Sequence, residues 1–290
     1  MTIYVEPQDG IVPIIKFIRR VRKKIFMNFY LIDDDRIINE IREAKKRGVD
    51  VRIIVDGKPY GMGQSKVDVK ELSSTCASVK LSPPRFDASD VFDHAKYMVS
   101  EKYFEIGTAN MTEASFSRNR EYIYIGKNRK IRKCLMSLFI SDWENSNETG
   151  IRCKELVISP GSESTILHIL RTSKLVESEE VGDDTRIIET LSSRRRKLKI
   201  VIPSSASQND IANMKKLRER GVKARLMPPD RLYMHAKAVL FKDYVFIGSQ
   251  NFTSTSLNRN REVGIIIRSL SDRRKIKRIM VADWKRSEKI

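Results

Sequence analysis

The stretch Phe92–Glu121 reads F-D-H-A-K-Y-M-V-S-E-K-Y-F-E-I-G-T-A-N-M-T-E-A-S-F-S-R-N-R-E. It recurs at Tyr233–Glu262 as Y-M-H-A-K-A-V-L-F-K-D-Y-V-F-I-G-S-Q-N-F-T-S-T-S-L-N-R-N-R-E. Moving from position 94 to position 235, a shift of 141, carries His94 onto His235, Lys96 onto Lys237 and Gly107 onto Gly248 without a gap. The same shift carries Asn110 onto Asn251, Glu121 onto Glu262, and Asp142-Trp143 onto Asp283-Trp284. Apolar positions drift between the copies while His, Lys, Asn and Glu hold, the reverse of what packing alone requires. Two of the chain's three histidines therefore occupy equivalent places. The third, His168, lies in the helical run Ile166–Leu170 and is read as structural.

Working outward, each copy is preceded by alternating strands and helices. In the first half, Lys24–Ile32 reads as a buried strand. Asp33 or Asp34 then caps a helix carrying Ile37, Ile38 and Ile41 to Arg47, Gly48 ends it, and Val49–Val55 is the next strand. In the second half, Leu175–Glu180 and Leu198–Ile202 are strands, and Asp184–Arg196 is a helix whose Arg186-Ile187-Ile188 echoes Arg36-Ile37-Ile38. Pro228-Pro229 stands where Pro83-Pro84 stood, and the first half carries a longer insert ahead of its histidine. Two such halves predict an α/β protein with helix-covered sheets. Asn145–Gly150 is the natural linker, giving domains over 1–147 and 148–290.

Composition narrows the partners. Lys and Arg number 56 against 37 Asp and Glu, a net charge of +19, which favours nucleic acid or an anionic membrane surface. The three cysteines, Cys76, Cys134 and Cys153, show neither a C-x-x-C pair nor metal-ligand spacing, which argues for a reducing compartment. No signal-peptide-like or membrane-spanning run is visible, so a cytoplasmic protein without stable membrane association is expected.

The repeated block carries chemistry. In H-A-K the polar side chains sit two residues apart, which on a strand puts them on one face. A histidine beside a lysine makes an anion site holding a group that transfers protons or attacks. Asn110 and Asn251 lie in small-residue loops after a strand and can donate to an oxyanion, as can Thr108 and Ser249. Glu121 or Glu262 can fix the tautomer of a histidine by accepting its other ring N–H. Two such sets across a pseudo-twofold axis can form one site, in which one histidine attacks phosphorus and the other protonates the leaving oxygen. The lysines and asparagines neutralise the phosphoryl oxygens, so neither a metal nor a cofactor is expected.

H-x-K followed by G-[ST]-x-N, present twice with a trailing Glu, resembles the paired motifs of the phospholipase D superfamily over essentially the whole chain. The resemblance implies two pseudo-twofold-related α-β-α sandwich domains with mixed sheets and a site at their seam. It also implies a covalent phosphohistidine, with His94, Lys96, Asn110, Glu121, His235, Lys237, Asn251 and Glu262 as functional residues. The family's Asp, five residues after the lysine, is replaced by Glu101 in the first copy and by Lys242, next to Asp243, in the second. One chain holds both copies, so a monomer suffices for a complete site, and a homodimer stays compatible. Local sequence around the two histidines is near-identical. The Asp-rich insert (Asp87, Asp90, Asp93) points to His94 as the acid, whereas the resemblance implies His94 as nucleophile and His235 as acid, the assignment adopted.

For the substrate, the charge, the basic runs Arg19–Lys24, Lys45–Arg47, Arg194–Lys197 and Arg273–Arg278, and the repeated Arg-Asn-Arg favour a nuclease acting on DNA or RNA. Arg118, Arg120, Arg259 and Arg261 are the expected nucleic-acid contacts. The alternatives are a phospholipase D or cardiolipin synthase-like lipid enzyme, for which only Tyr60 and Met62 suggest an apolar loop, and a non-catalytic nucleic-acid binder.

Overall fold

A computed structural model describes residues 2–59, 66–146, 151, 153–182 and 184–290. The loop bearing Tyr60 and Met62, and the expected boundary at 147/148, lie outside the described residues.

Two mixed sheets carry the chain. The first runs Thr2–Glu6, Asn119–Gly126, Phe104–Gly107, Lys96–Ser100, Lys24–Phe29, Asp50–Val55, Ser78–Leu81. The second runs Leu156–Ser159, Glu262–Ile267, Tyr244–Gly248, Lys237–Phe241, Ser173–Ser178, Lys199–Pro203, Lys223–Met227, with Glu288–Lys289 added at the far edge. Strand for strand the two orders match, so the duplication covers the whole architecture. In each sheet one side is parallel, as Lys24–Phe29 with Asp50–Val55, and the other antiparallel, as Lys96–Ser100 with Phe104–Gly107.

The parallel pairs need crossover helices, and the sequence supplies them with capped ends. The Asp34 side chain accepts from the Arg36 amide at 3.0 Å and starts Asp35–Lys46, which buries Ile37, Ile38, Ile41 and Ala44. Asp184 does the same for Thr185–Ser193. That helix stops three residues short of the expected Arg196. Arg195 takes a left-handed φ of 44°, through which an α-helix does not continue, and Arg195–Lys197 forms a 3₁₀ turn.

Apolar side chains collect into a core on the outer face of each sheet and a third core at the seam. The seam core joins Tyr97, Tyr122 and Phe139 of the first half to Ala238, Ile265 and Met280 of the second. Helices Arg129–Trp143 and Leu270–Arg286 contribute to it, with Phe139 stacked on Phe26 at 4.8 Å.

One core position departs from the pattern. Glu105 is fully buried in strand Phe104–Gly107 without an ion-pair partner among the described residues, where the second half has Phe246. Burial pushes its pKa well above the usual carboxylate value, against a smaller opposing effect of the Met98 backbone. Burial therefore favours the protonated form in the folded chain. Its contribution is fully present below the unfolded pKa of about 4.3 and is lost as pH rises. Glu105→Leu is expected to raise stability at pH 8 by ~1–3 kcal/mol, with the gain shrinking toward pH 4. Thermal unfolding at the two pH values checks this, and an equal gain at both would assign the effect to packing instead.

Candidate active site

The two H-x-K segments enter the centres of the two sheets side by side across the seam. Each lysine begins its strand, Lys96–Ser100 or Lys237–Phe241. The histidines do not lie on the strands as the spacing suggested; they stand in the extended stretch just ahead. The other repeat holds that stretch in place. His94 donates its amide to the Arg261 carbonyl at 2.9 Å, and the Arg261 amide donates to the Phe92 carbonyl at 3.0 Å. In the mirror arrangement Tyr233–Met234 pairs in parallel with Asn119–Arg120.

The same exchange fixes the rings. His94 Nδ1 lies 3.1 Å from Glu262 Oε2, and His235 Nδ1 lies 2.5 Å from Glu121 Oε1. Each glutamate thus serves the histidine of the opposite repeat. Both carboxylates are fully buried and are themselves held. Thr108 Oγ1 and Asn119 Nδ2 donate to Glu121; Ser256 Oγ and Asn260 Nδ2 donate to Glu262. Such outer partners orient a ring and set its tautomer.

The lysines close the floor. Both are fully buried, and each donates to the carbonyl of its own histidine, Lys96 to His94 and Lys237 to His235, at 2.9 Å. Burial, then the neighbouring Lys237 charge, push Lys96 down to about 7. Burial, then Lys96 and Lys237, hold His94 well below its ordinary value, so its ring is neutral at pH 7. Burial pushes Glu262 up to about 7 against the pull of Lys96.

Asn110 and Asn251 reach the site from the loops after Phe104–Gly107 and Tyr244–Gly248, and both line the cleft above the histidines. Gly107 makes this loop possible: a Cβ there would lie 2.7 Å from the Tyr122 carbonyl oxygen. The cleft has a volume of about 620 Å³. Tyr30, Phe92, Glu179, Glu180, Asp210 and a set of Ser, Thr and Asn side chains share its lining with the two histidines, and no arginine or lysine is among the described residues that line it. A neutral ring, a second ring flanked by carboxylates and two amides at the cleft, with two lysines buried behind the rings, can attack, neutralise and protonate a phosphodiester.

The family model "Cardiolipin synthase, PLD-like domain" matches residues 14–143 and 171–284, one segment for each half. The chain belongs to the phospholipase D superfamily. The cardiolipin synthase of Staphylococcus aureus strain Mu50 is 31% identical over 137 residues, which are 46% of this chain and 27% of that protein. The chain thus matches only about a quarter of the length of this curated relative. The phosphatidylserine synthase of Haemophilus influenzae Rd KW20 superposes with a TM-score of 0.74 at 12% identity, over 99% of this chain and 87% of that one. The polyphosphate kinase of Porphyromonas gingivalis superposes with a TM-score of 0.74 at 15% identity, over 97% of this chain and 50% of that one. At these identities the two structures speak for the fold alone.

Within this phospholipase D fold, the residues that replace the family's Asp are turn residues. Glu101 accepts from the Arg22 amide at 3.1 Å, Lys242 takes a φ of 41°, and Asp243 pairs with Arg273 at 2.7 Å.

Three sequence expectations are corrected. Arg120 and Arg261 are not free to contact nucleic acid. They are buried, Arg120 paired with Asp283 at 2.6 Å and Arg261 with Asp142 at 2.8 Å, each across the seam. Arg118 and Arg259 are exposed. Thr108 and Ser249 do not face the cleft; both are fully buried, Thr108 on Glu121 and Ser249 accepting from the Val263 amide at 3.0 Å. The Asp-rich insert does not act on His94 as a unit: Asp93 is fully buried and accepts from Asn28 at 3.1 Å, while Asp90 lines the cleft.

The sequence reading missed Glu179, Glu180 and Tyr30. Their signal was present in the strand ends, where F-Y-L-I-D-D in one half faces S-E-E-V-G-D in the other. The differing lengths ahead of the histidines hid the register. Asp142 and Asp283 were visible as a repeated pair but had no role until their arginines came into contact.

Proposed function

We propose that this chain catalyses phosphodiester transfer or hydrolysis through a phosphohistidine, on a substrate whose single phosphodiester stands between hydroxylated groups: the head group of a glycerophospholipid. The observation that carries the substrate class is the lining of the cleft. Hydroxyls, amides and the carboxylates Asp90, Glu179, Glu180 and Asp210 share the lining with the histidines, and the two motif lysines are buried behind them. Burial and the adjacent Glu179 push Glu180 up to about 7, so it can share a proton with a substrate hydroxyl. A nucleic acid strand carries a phosphate at every nucleotide and would bring further negative charge against these carboxylates. The similarity to proteins named cardiolipin synthases supports the lipid reading. The +19 net charge supports recruitment to an anionic lipid surface by long-range attraction. No described helix is long and apolar enough to cross a membrane.

A nuclease is the second reading, favoured by the same net charge and by the exposed Arg118 and Arg259. The two readings separate in one experiment. The protein is incubated in EDTA with phosphatidylglycerol vesicles and, separately, with labelled single- and double-stranded DNA and RNA. The expected result is turnover of phosphatidylglycerol and intact nucleic acid. Cleavage of nucleic acid with inert vesicles establishes the nuclease instead. Activity that disappears in EDTA and returns with Mg²⁺ or Mn²⁺ overturns the two-histidine chemistry.

A further inference from the structure

A two-histidine phosphodiester reaction needs its rings in different states at the same moment, one with a lone pair and one with a proton. The pseudo-twofold works against this, because each ring has a lysine two residues on, an asparagine across the cleft and a glutamate from the opposite repeat. Of the wall positions at which the half-sites differ, one stands directly against the histidine rings. The Tyr30 amide donates to the Ala95 carbonyl at 3.2 Å, and the Glu179 amide donates to the Ala236 carbonyl at 3.0 Å. Tyr30 and Glu179 therefore hold matching places, each just beyond a central strand, Lys24–Phe29 or Ser173–Ser178.

Over the first half-site stands an aromatic ring. Tyr30 meets His94 edge-on at 4.8 Å between centroids, and Lys96 Nζ lies 5.3 Å from the tyrosine centroid. Over the second stands a carboxylate. Glu179 Oε2 is 2.5 Å from Lys237 Nζ and 3.4 Å from His235 Nε2. His235 thus has a carboxylate at each ring nitrogen, Glu121 at Nδ1 and Glu179 at Nε2, with Lys237 and the Tyr233 ring as its other neighbours. His94 has Glu262 at Nδ1 and the Tyr30 ring edge-on, and the charges of Lys96, Lys237, Glu179 and His235 act on it.

We infer that Glu179 is a positioning residue that makes the two half-sites unequal: it keeps the proton on His235 Nε2, commits His235 to the leaving group, and leaves His94 to attack. This rests on the phosphohistidine reading above and extends it to a residue outside the motifs. In the first step the His94 Nε2 lone pair forms the N–P bond, the P–O bond to the leaving alcohol breaks, and that oxygen takes the proton from His235 Nε2. In the second, water or an acceptor alcohol attacks phosphorus and gives its proton back to His235, and the P–N electrons return to His94. Glu179 also takes one of the three donors of Lys237, whose second goes to the His235 carbonyl. Among the described residues Lys96 hydrogen-bonds only the His94 carbonyl, so phosphoryl binding is weighted toward the attacking half.

The test compares two leaving groups in wild type and Glu179→Gln: phosphatidylglycerol, whose alcohol needs a proton, and a p-nitrophenyl phosphodiester, whose phenolate does not. Acid-quenched protein is mapped for the phosphohistidine. The expected result is a loss of about 10²-fold on phosphatidylglycerol, at least ten times the loss on the p-nitrophenyl substrate, with the wild-type adduct on His94. Equal losses on both substrates, a gain on both, or a wild-type adduct on His235 overturn the role of Glu179. A wild-type protein that turns over substrate without any phosphohistidine overturns the underlying reading instead. Should Glu179→Gln not fold, Glu179→Asp, which withdraws the carboxylate by one methylene, is read against the same ratio and the same map. The exchange Tyr30→Glu with Glu179→Tyr gives a further reading, since it is expected to move the adduct to His235.

Discussion

His94→Ala is expected to lose about 10⁴-fold or more in turnover, and so is His235→Ala on any substrate whose leaving group needs a proton. The two losses have different origins. Without His94 the attacking ring is gone, and His235, with Glu121 at Nδ1 and Glu179 at Nε2, is held for the leaving group. Without His235 the attack can occur, but an alkoxide must depart unprotonated. Mixing the two inactive chains is expected to restore nothing. Each histidine finds its glutamate within the same chain, His94 with Glu262 and His235 with Glu121, so one copy already closes a complete set. Initial rates of the single variants and of their mixture check both statements. Recovery on mixing would mean that sites form between chains.

Arg120→Ala is expected to cost about 3–5 kcal/mol of stability, the range for breaking a buried ion pair from one side. Arg120 is 1% exposed and grips Asp283 with two nitrogens, Nε at 2.6 Å and Nη2 at 3.0 Å. Its remaining nitrogen donates to Gln8 Oε1 at 2.7 Å and to the Glu6 carbonyl. Removing the guanidinium leaves the Asp283 charge buried beside Glu177, which burial and Asp283 already push up to about 8. The double variant Arg120→Met with Asp283→Leu removes both charges and is expected to regain most of the loss. Arg261→Ala is expected to cost less, because Arg85 also reaches Asp142, at 2.7 Å, and keeps that carboxylate paired. Denaturant unfolding of the three variants tests the order. A near-neutral Arg120→Ala would show that water enters the seam and solvates Asp283.

The duplication, the fold class and the membership of the His, Lys and Asn set were legible because polar residues recur at one shift. What was not legible is which copy each residue serves. His94 and Glu121 have the same spacing as His235 and Glu262, so the sequence leaves open which glutamate each histidine meets, and in the structure both pairs cross. The Arg-Asn-Arg runs misled for a related reason. An arginine beside another charge in sequence looks solvated, but Arg120 and Arg261 find their aspartates in the opposite half, far along the chain, and become interior residues. Thr108 and Ser249 were placed in the right loops but on the wrong side, because strand registry with Tyr122 and Val263 turns their hydroxyls inward. The wall residues Tyr30 and Glu179 differ between the copies, and a search for identities passes over positions that differ.

The crossed contacts have the form of an isologous interface, in which residue i of one subunit meets residue j of the other and j meets i. His94 with Glu262 and His235 with Glu121 is one such reciprocal set; Arg120 with Asp283 and Arg261 with Asp142 is another. This is the geometry of a symmetric homodimer whose two subunits have become one polypeptide. Joining them frees each half to change without its twin, which no homodimer allows. The aromatic ring at position 30 and the carboxylate at position 179 are that freedom in use: a difference between two histidines that identical subunits could not encode.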